Sequence, residues 1–194
     1  MSRKEHTIGP LIAYHGCEAT LAERVLHGQD ELVKSNNDYD WLGPGVYFWV
    51  DSPERGYEWA LEQKRRGNIN EPAVIGAYIY PHLCLNLTDY GVMDDIQFAY
   101  EFLTESLKAT GSSIPVNSRS SNGLHLKRPL DCSVIKMAHT IRALNGENPF
   151  DSVYGVFEEG AELFPGAGIK RKTHVQIAVC HPDQCILGYF RVKS

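Results

Sequence analysis

Between Gly43 and Gly67 the chain leaves few folding choices open. Gly43-Pro44-Gly45 is a turn signal, and Val46-Tyr47-Phe48-Trp49-Val50 is a β-branched and aromatic strand. Asp51-Ser52-Pro53-Glu54 then opens a helix, with Asp51 or Ser52 as the cap, Pro53 in the first turn and Glu54 completing a capping box from Asp51. Lys64, Arg65 and Arg66 crowd the far end, where cations suit the helix dipole, and Gly67 closes it. A strand is therefore joined to a helix by a few residues, and its side chains leave the turn on a rigid element. About thirty residues earlier, Pro10-Leu11-Ile12-Ala13-Tyr14 reads as a buried strand ending in His15-Gly16, where the missing Cβ lets a flat ligand approach the backbone.

The same periodicities predict further strands at 73–80, 152–157, 174–180 and 186–192 beside 10–15 and 45–50, and helices at 18–27, 52–66, 94–109 and 131–144. In the last helix Asp131 is the expected cap, and Val134, Met137, Ala138, Ile141 and Leu144 form the expected core face. The mixture indicates an α+β fold with two packed, mainly antiparallel sheets and flanking helices. One domain over 1–194 is the economical count, with 82–150 as a helical insertion carrying a mobile loop at 110–123, where Gly, Ser and Pro gather.

Tyr57 follows Tyr47 by one helix entry and shares a face with Ala60, Leu61 and Lys64, so two tyrosine rings form an expected slot for a flat aromatic group such as nicotinamide. At this point the chain resembles the diphtheria-toxin-like and poly(ADP-ribose)-polymerase-like ADP-ribosyltransferases, which carry a His, Tyr, Glu triad. The order strand-His15-Gly16, then Gly43-x-Gly45-Val46-Tyr47-Phe48, then a helix with Tyr57 ten residues on, resembles their NAD-binding core. Gln176-Ile177-Ala178-Val179-Cys180-His181-Pro182-Asp183-Gln184 resembles their last strand and its turn, with Gln176 where the family usually has Glu. The likeness covers roughly 10–66 and 152–192 and says little about 82–150.

The resemblance implies that NAD is the co-substrate and that His15, Tyr47 and Gln176 are the catalytic set. His15 would bond the adenosine-side ribose, the Gly16 backbone would hold the nicotinamide carboxamide, and Tyr47 and Tyr57 would sandwich the ring. The family's helper serine falls at Glu54, leaving Ser52 as the nearest hydroxyl. Cleavage of the nicotinamide bond passes through an oxocarbenium-like state that a carboxylate stabilises. Glutamine keeps the hydrogen bond and loses the charge, so a slower reaction and mono-ADP-ribosylation rather than polymer building are expected. Glu158, Glu159 and Glu162 are candidate substitutes from a neighbouring loop, with solvated loop charge as the plainer reading. In the family the loop before the catalytic strand faces the acceptor. Here that loop offers Phe164 to stack on a ring and Lys170, Arg171 and Lys172 to meet phosphate or an acidic surface.

The acceptor is thus expected to be a macromolecule, protein or nucleic acid (RNA or DNA), and the setting a toxin or phage-defence effector with an antitoxin or inhibitor partner. Two alternatives are a silent module that binds NAD or ADP-ribose, and an RNA 2′-phosphotransferase-like enzyme. The latter needs arginines, and none flanks His15, Tyr47 or Gln176 closely in sequence.

Composition bounds these readings. With 19 basic and 24 acidic residues the formal charge is −5, so nonspecific nucleic-acid binding by the whole domain is not expected, only a local basic patch. No apolar run approaches the about 18 residues of a membrane span, and the N-terminus lacks a signal-peptide core, so a cytoplasmic chain without a membrane partner is expected. The five cysteines, Cys17, Cys84, Cys132, Cys180 and Cys185, have no repeated spacing and read as free thiols. Cys180-His181 with Cys185 lacks a four-ligand zinc pattern, so no metal is expected. Cys17 lacks a facing base and is not read as a nucleophile.

Overall fold

A computed structural model describes residues 8–119 and 125–193. The expected N-terminal hexapeptide and residues 120–123 of the expected mobile loop lie outside that range. The elements run β1 (Leu11–Glu18), α1 (Ala19–Leu26), β2 (Val46–Val50), α2 (Pro53–Arg65), β3 (Pro72–Ile79) and β4 (Cys84–Asn86). A short 3-10 turn (Tyr90–Val92) leads into α3 (Met93–Ala109). Then come β5 (Ser118–Arg119), β6 (His125–Lys127), α4 (Pro129–Leu144), β7 (Ser152–Phe157), β8 (His174–Val179), α5 (Pro182–Cys185) and β9 (Ile186–Arg191).

The fold is α+β, but the expectation of two packed sheets is corrected. Among the described residues seven strands form one mixed sheet in the order β4-β7-β8-β2-β1-β3-β9, and β5 and β6 form a separate pair. The joint is β8, which uses both edges: Gln176 stands opposite Trp49 on β2 and opposite Gly155 on β7. The segment 82–150 is likewise more than a helical insertion. Its buried Cys84 and Leu85 carry β4 into the sheet, where it runs parallel to β7.

Alternation along the strands sends two apolar sets to opposite faces. Ala13, Val46, Phe48, Ile75, Ala77, Ile177 and Val179 pack with Ala22 and Val25 of α1. On the other face Val153 and Ala178 pack with Leu103 of α3 and Val134, Ile135 and Ala138 of α4. The helix α2 also lies across β1 and β3, and its seat depends on a glycine pair. A Cβ on Gly16 would stand 2.1 Å from the Gly56 carbonyl oxygen. Between α2 and the α3/α4 layer, Trp49 and Gln176 line a cleft on the sheet.

Helix α2 begins where expected, with Ser52 as its N-cap and Pro53 in the first turn, but no side-chain cap bond or capping box forms, and Asp51 takes a left-handed conformation (φ 52°). Helix α4 starts two residues before Asp131, whose carboxylate instead accepts from Asn117 Nδ2 at 2.6 Å. Leu144, expected in the core, is exposed.

Candidate active-site cleft

Strands β1 and β2 pair only through Ala13–Val50 and Tyr14–Trp49, then part. The His15 ring occupies the gap, with Phe48 5.6 Å away on one side and Trp59 6.4 Å away on the other. Its Nδ1 lies 2.8 Å from the Tyr47 carbonyl oxygen. A carbonyl only accepts, so Nδ1 carries the proton and Nε2 is an acceptor with no partner among the described residues. Burial lowers the His15 pKa, against the bond to Tyr47, which keeps the ring neutral near pH 7.

The gap opens into a cleft of about 670 Å³ lined by His15, Tyr47 and Gln176. These three come from β1, β2 and β8, separated by up to 161 residues in the chain (176 minus 15). All three tryptophans of the sequence, Trp41, Trp49 and Trp59, line the same cleft. Trp49 and Trp59 stand 5.8 Å apart.

Gln176 is held from one side. The Trp41 indole N–H donates to Gln176 Oε1 at 2.8 Å, and because that indole can only donate, the amide oxygen faces Trp41 and the amide N–H groups face away. Gly155 makes this possible, since a Cβ there would meet the Trp41 ring at 2.8 Å. Tyr47 is fixed too. Its hydroxyl donates to the Gly43 carbonyl at 2.8 Å and accepts from Leu42 N–H at 3.0 Å, so only its ring is offered to the cleft.

Several expected site residues stand elsewhere. Tyr57 is 45% exposed and does not line the cleft. The face of α2 turned inward is Arg55, Trp59, Glu62, Gln63 and Arg66, at the spacing of one helix stripe, so Trp59 takes the place expected of Tyr57. Ser52 is at the helix entry and does not line the cleft. The Cβ side of Gly16 is filled by α2, not by a ligand. Asp51 N–H bonds to the Ile12 carbonyl, so by strand alternation the main chain of Gly16 also faces the side that β2 has left.

Residues 158–173 form a strap, not an open basic loop. Leu163 N–H bonds to the Ile169 carbonyl, Arg171 N–H to Ala161 and Lys172 N–H to Glu159, folding the segment back on itself. Lys172 Nζ reaches Glu58 at 2.6 Å and Glu62 at 3.3 Å on α2, and the bond to Glu58 raises its pKa. Lys170 pairs with Glu162 at 3.7 Å, and an Arg171 guanidinium N–H donates to the Leu163 carbonyl at 3.5 Å. Lys170 and Lys172, expected to meet phosphate, are thus each paired with carboxylates of the protein. Phe164 is exposed at the strap tip. Of the candidate carboxylates, Glu159 alone lines the cleft, with Oε2 2.6 Å from Nη2 of the buried Arg55. Arg55 and Arg66 thus enter a cleft that sequence proximity left without arginine.

Trp41, Trp49, Trp59 and Arg55 were not singled out from the sequence. The available signal was the tryptophan spacing, since Trp49 alternates with Phe48 on a strand and Trp59 falls four residues after Arg55 on the helix. Burial pushes the Cys17 thiol up to about 11, which leaves it protonated and unreactive. Among the described residues no three His, Cys, Asp or Glu side chains are gathered to hold a metal, and no helix is long and apolar enough to cross a membrane. No protein-family model, curated protein or solved structure matches the chain.

Proposed function

We propose that the cleft is the active site of an NAD-dependent mono-ADP-ribosyltransferase. The observation that carries the reading is convergence: His15, Tyr47 and Gln176, chosen from three distant segments, line one cleft together with every tryptophan of the chain. Neutral His15 offers Nε2 to a ribose hydroxyl of the adenosine half. The rings of Tyr47 and Trp59 supply the aromatic walls for nicotinamide, and stacking of this kind contributes roughly 0.5–1.5 kcal/mol beyond area burial. Gln176 turns its amide N–H groups away from Trp41 and toward the position of the second ribose. When the bond from C1″ to the nicotinamide nitrogen breaks, the electron pair leaves with nicotinamide, which departs neutral.

One observation favours a second reading, a module that binds NAD without consuming it. Gln176 is uncharged and its oxygen is already engaged by Trp41. The two readings separate on turnover. A carboxylate accepts from Trp41 with one oxygen and faces the oxocarbenium with the other, and a charged hydrogen bond exceeds a neutral one by about 1–2 kcal/mol. Gln176→Glu is therefore expected to raise nicotinamide release about 5- to 30-fold, at about 1.4 kcal/mol per factor of ten. Gln176→Ala is expected to abolish it. Tight NAD binding with no release from wild type or Gln176→Glu would establish the binding module instead.

A further inference from the structure

The acceptor can be argued from the far end of the same cleft, an inference that rests on the transferase reading above. Register orders the groups. Tyr47 pairs with Ala178 and Trp49 with Gln176, so past Gln176, away from Tyr47, come His174 on β8 and its β7 partner Phe157. Glu159 of the strap and Arg55 of α2 close this end. With nicotinamide on the Tyr47 side and the scissile bond at Gln176, a nucleophile reaches C1″ from the Phe157 and Glu159 side, opposite the departing group.

That end holds buried donors without hydrogen-bond partners on two residues that line the cleft: Trp49 Nε1, and Arg55 Nε and Nη1. Trp49 is 4% and Arg55 9% exposed. Arg55 Nη1 does lie 3.3 Å from Glu58, without hydrogen-bond alignment, so Nε is its unmatched donor. Native proteins leave few such groups, and each calls for an explanation. The indole and guanidinium nitrogens only donate. The acceptor that lines this end is the Glu159 carboxylate, while His174, bonded through Nδ1 to the Lys172 carbonyl at 2.6 Å, lies behind the cleft wall. The surroundings are flat: the Trp49 and Phe157 rings line the cleft, and the Arg55 guanidinium is 5.9 Å over Trp49.

A matching group needs a flat face and an edge with both donors and acceptors. A carboxylate offers acceptors only, a lysine or arginine side chain donors only, and a serine has no face to stack. An asparagine or glutamine amide carries both donors and an acceptor but has no aromatic ring to stack on Trp49 and Phe157, whereas a nucleobase has all three features. Lys170 and Lys172 are paired within the protein, so the strap leaves no track of free cations for a duplex backbone. We propose that this end of the cleft is an acceptor pocket for an unpaired nucleobase, and that the chain transfers ADP-ribose to a base nitrogen. In that step the base nitrogen forms a bond to C1″, the bond from C1″ to nicotinamide breaks, nicotinamide leaves neutral with the electron pair, and the N–H proton passes to Glu159. The unmatched atoms are closed to water, so the base reaches them as Glu159 moves off Arg55, which frees the same carboxylate for the proton.

The test gives the full chain NAD together with nucleoside 5′-monophosphates, a mixed-sequence single-stranded oligonucleotide, the same oligonucleotide annealed to its complement, or a protein mixture. Nicotinamide release is read by chromatography and the adduct by mass spectrometry. The expected result is release accompanied by ADP-ribose that fragments with the base, at least about tenfold weaker on the annealed strand. Trp49→Phe keeps a ring and removes the N–H, and loss of one hydrogen bond corresponds to about a tenfold rise in KM for the nucleotide, larger than any rise in KM for NAD. Release with the adduct on protein, on an oligonucleotide phosphate end, or with water as sole acceptor overturns the nucleobase pocket while leaving NAD cleavage standing. Absence of release overturns both.

Discussion

Gly155→Ala tests how Gln176 is positioned without touching Gln176. The added methyl would stand 2.8 Å from Cη2 and 3.2 Å from Cζ3 of Trp41, and 3.3 Å from Cδ2 of Leu42. Carbon atoms settle at about 3.5–4.0 Å, so the indole has to retreat by roughly 0.7 Å or more. It cannot do so freely, because Phe157 lies 5.2 Å and the Arg128 guanidinium 5.1 Å from its ring, while its N–H is tied to Gln176 at 2.8 Å. A shift of that size carries the hydrogen bond past about 3.2 Å, beyond its useful range. Overpacking costs about 1–3 kcal/mol and the lost bond about 1, against which Ala in place of Gly returns about 0.5 through the unfolded state. The net is about 1.5–3.5 kcal/mol, or roughly 3–14 °C in Tm for a chain of this size. Chemical and thermal unfolding of wild type, Gly155→Ala, Trp41→Phe and the double variant form a cycle. Phe lacks the part of the indole that meets the methyl, so the two substitutions are expected to couple by about 1–2 kcal/mol. Equal losses from Gly155→Ala in the wild-type and Trp41→Phe backgrounds would refute the clash and the positioning derived from it.

Gly16→Ala drives a methyl into the Gly56 carbonyl, so it is expected to cost about 3 kcal/mol and to weaken NAD binding by displacing Trp59, both measurable on one purified variant. Unaltered stability would mean that α2 is not seated as described. Burial, with His181 and Arg142 nearby, lowers the His139 pKa to about 4. Its folded value lies below the unfolded value of about 6.5, so the stability from a neutral His139 is full above pH 6.5 and is lost as pH falls toward 4, about 2–3 kcal/mol by pH 4.5. His139→Phe should flatten that part of the stability profile, and an unchanged slope would remove His139 as its source. Lys172→Ala removes two ties between strap and α2, so tryptic cleavage after Lys170 or Arg171 should rise several-fold, and high salt should raise it in wild type as well. Cleavage insensitive to both changes would show that the strap is held by other contacts.

The long elements were legible because their patterns are local. Val46–Val50 and His174–Val179 are β-branched strands, and Pro53–Arg65 carries its own start and stop residues. Strand partnership is not local. Nothing within Gln176-Ile177-Ala178 announces that both edges of β8 are used, and that is what merges two expected sheets into one. The same limit governs the site. His15, Tyr47 and Gln176 were found through motif order, whereas Trp59 replaced Tyr57 because the inward stripe of α2 is set by where Gly16 lets the helix sit. Lys172 looked free because Glu58 and Glu62, which neutralise it, are more than a hundred residues earlier.

Nicotinamide release from NAD by the purified chain, compared between wild type and His15→Ala, tests the central claim most directly. The cleft account predicts release by wild type that falls at least about tenfold in His15→Ala, as removal of one hydrogen bond to the bound ribose requires. Release at equal rates from both proteins, or NAD that is neither bound nor cleaved by wild type, would contradict it.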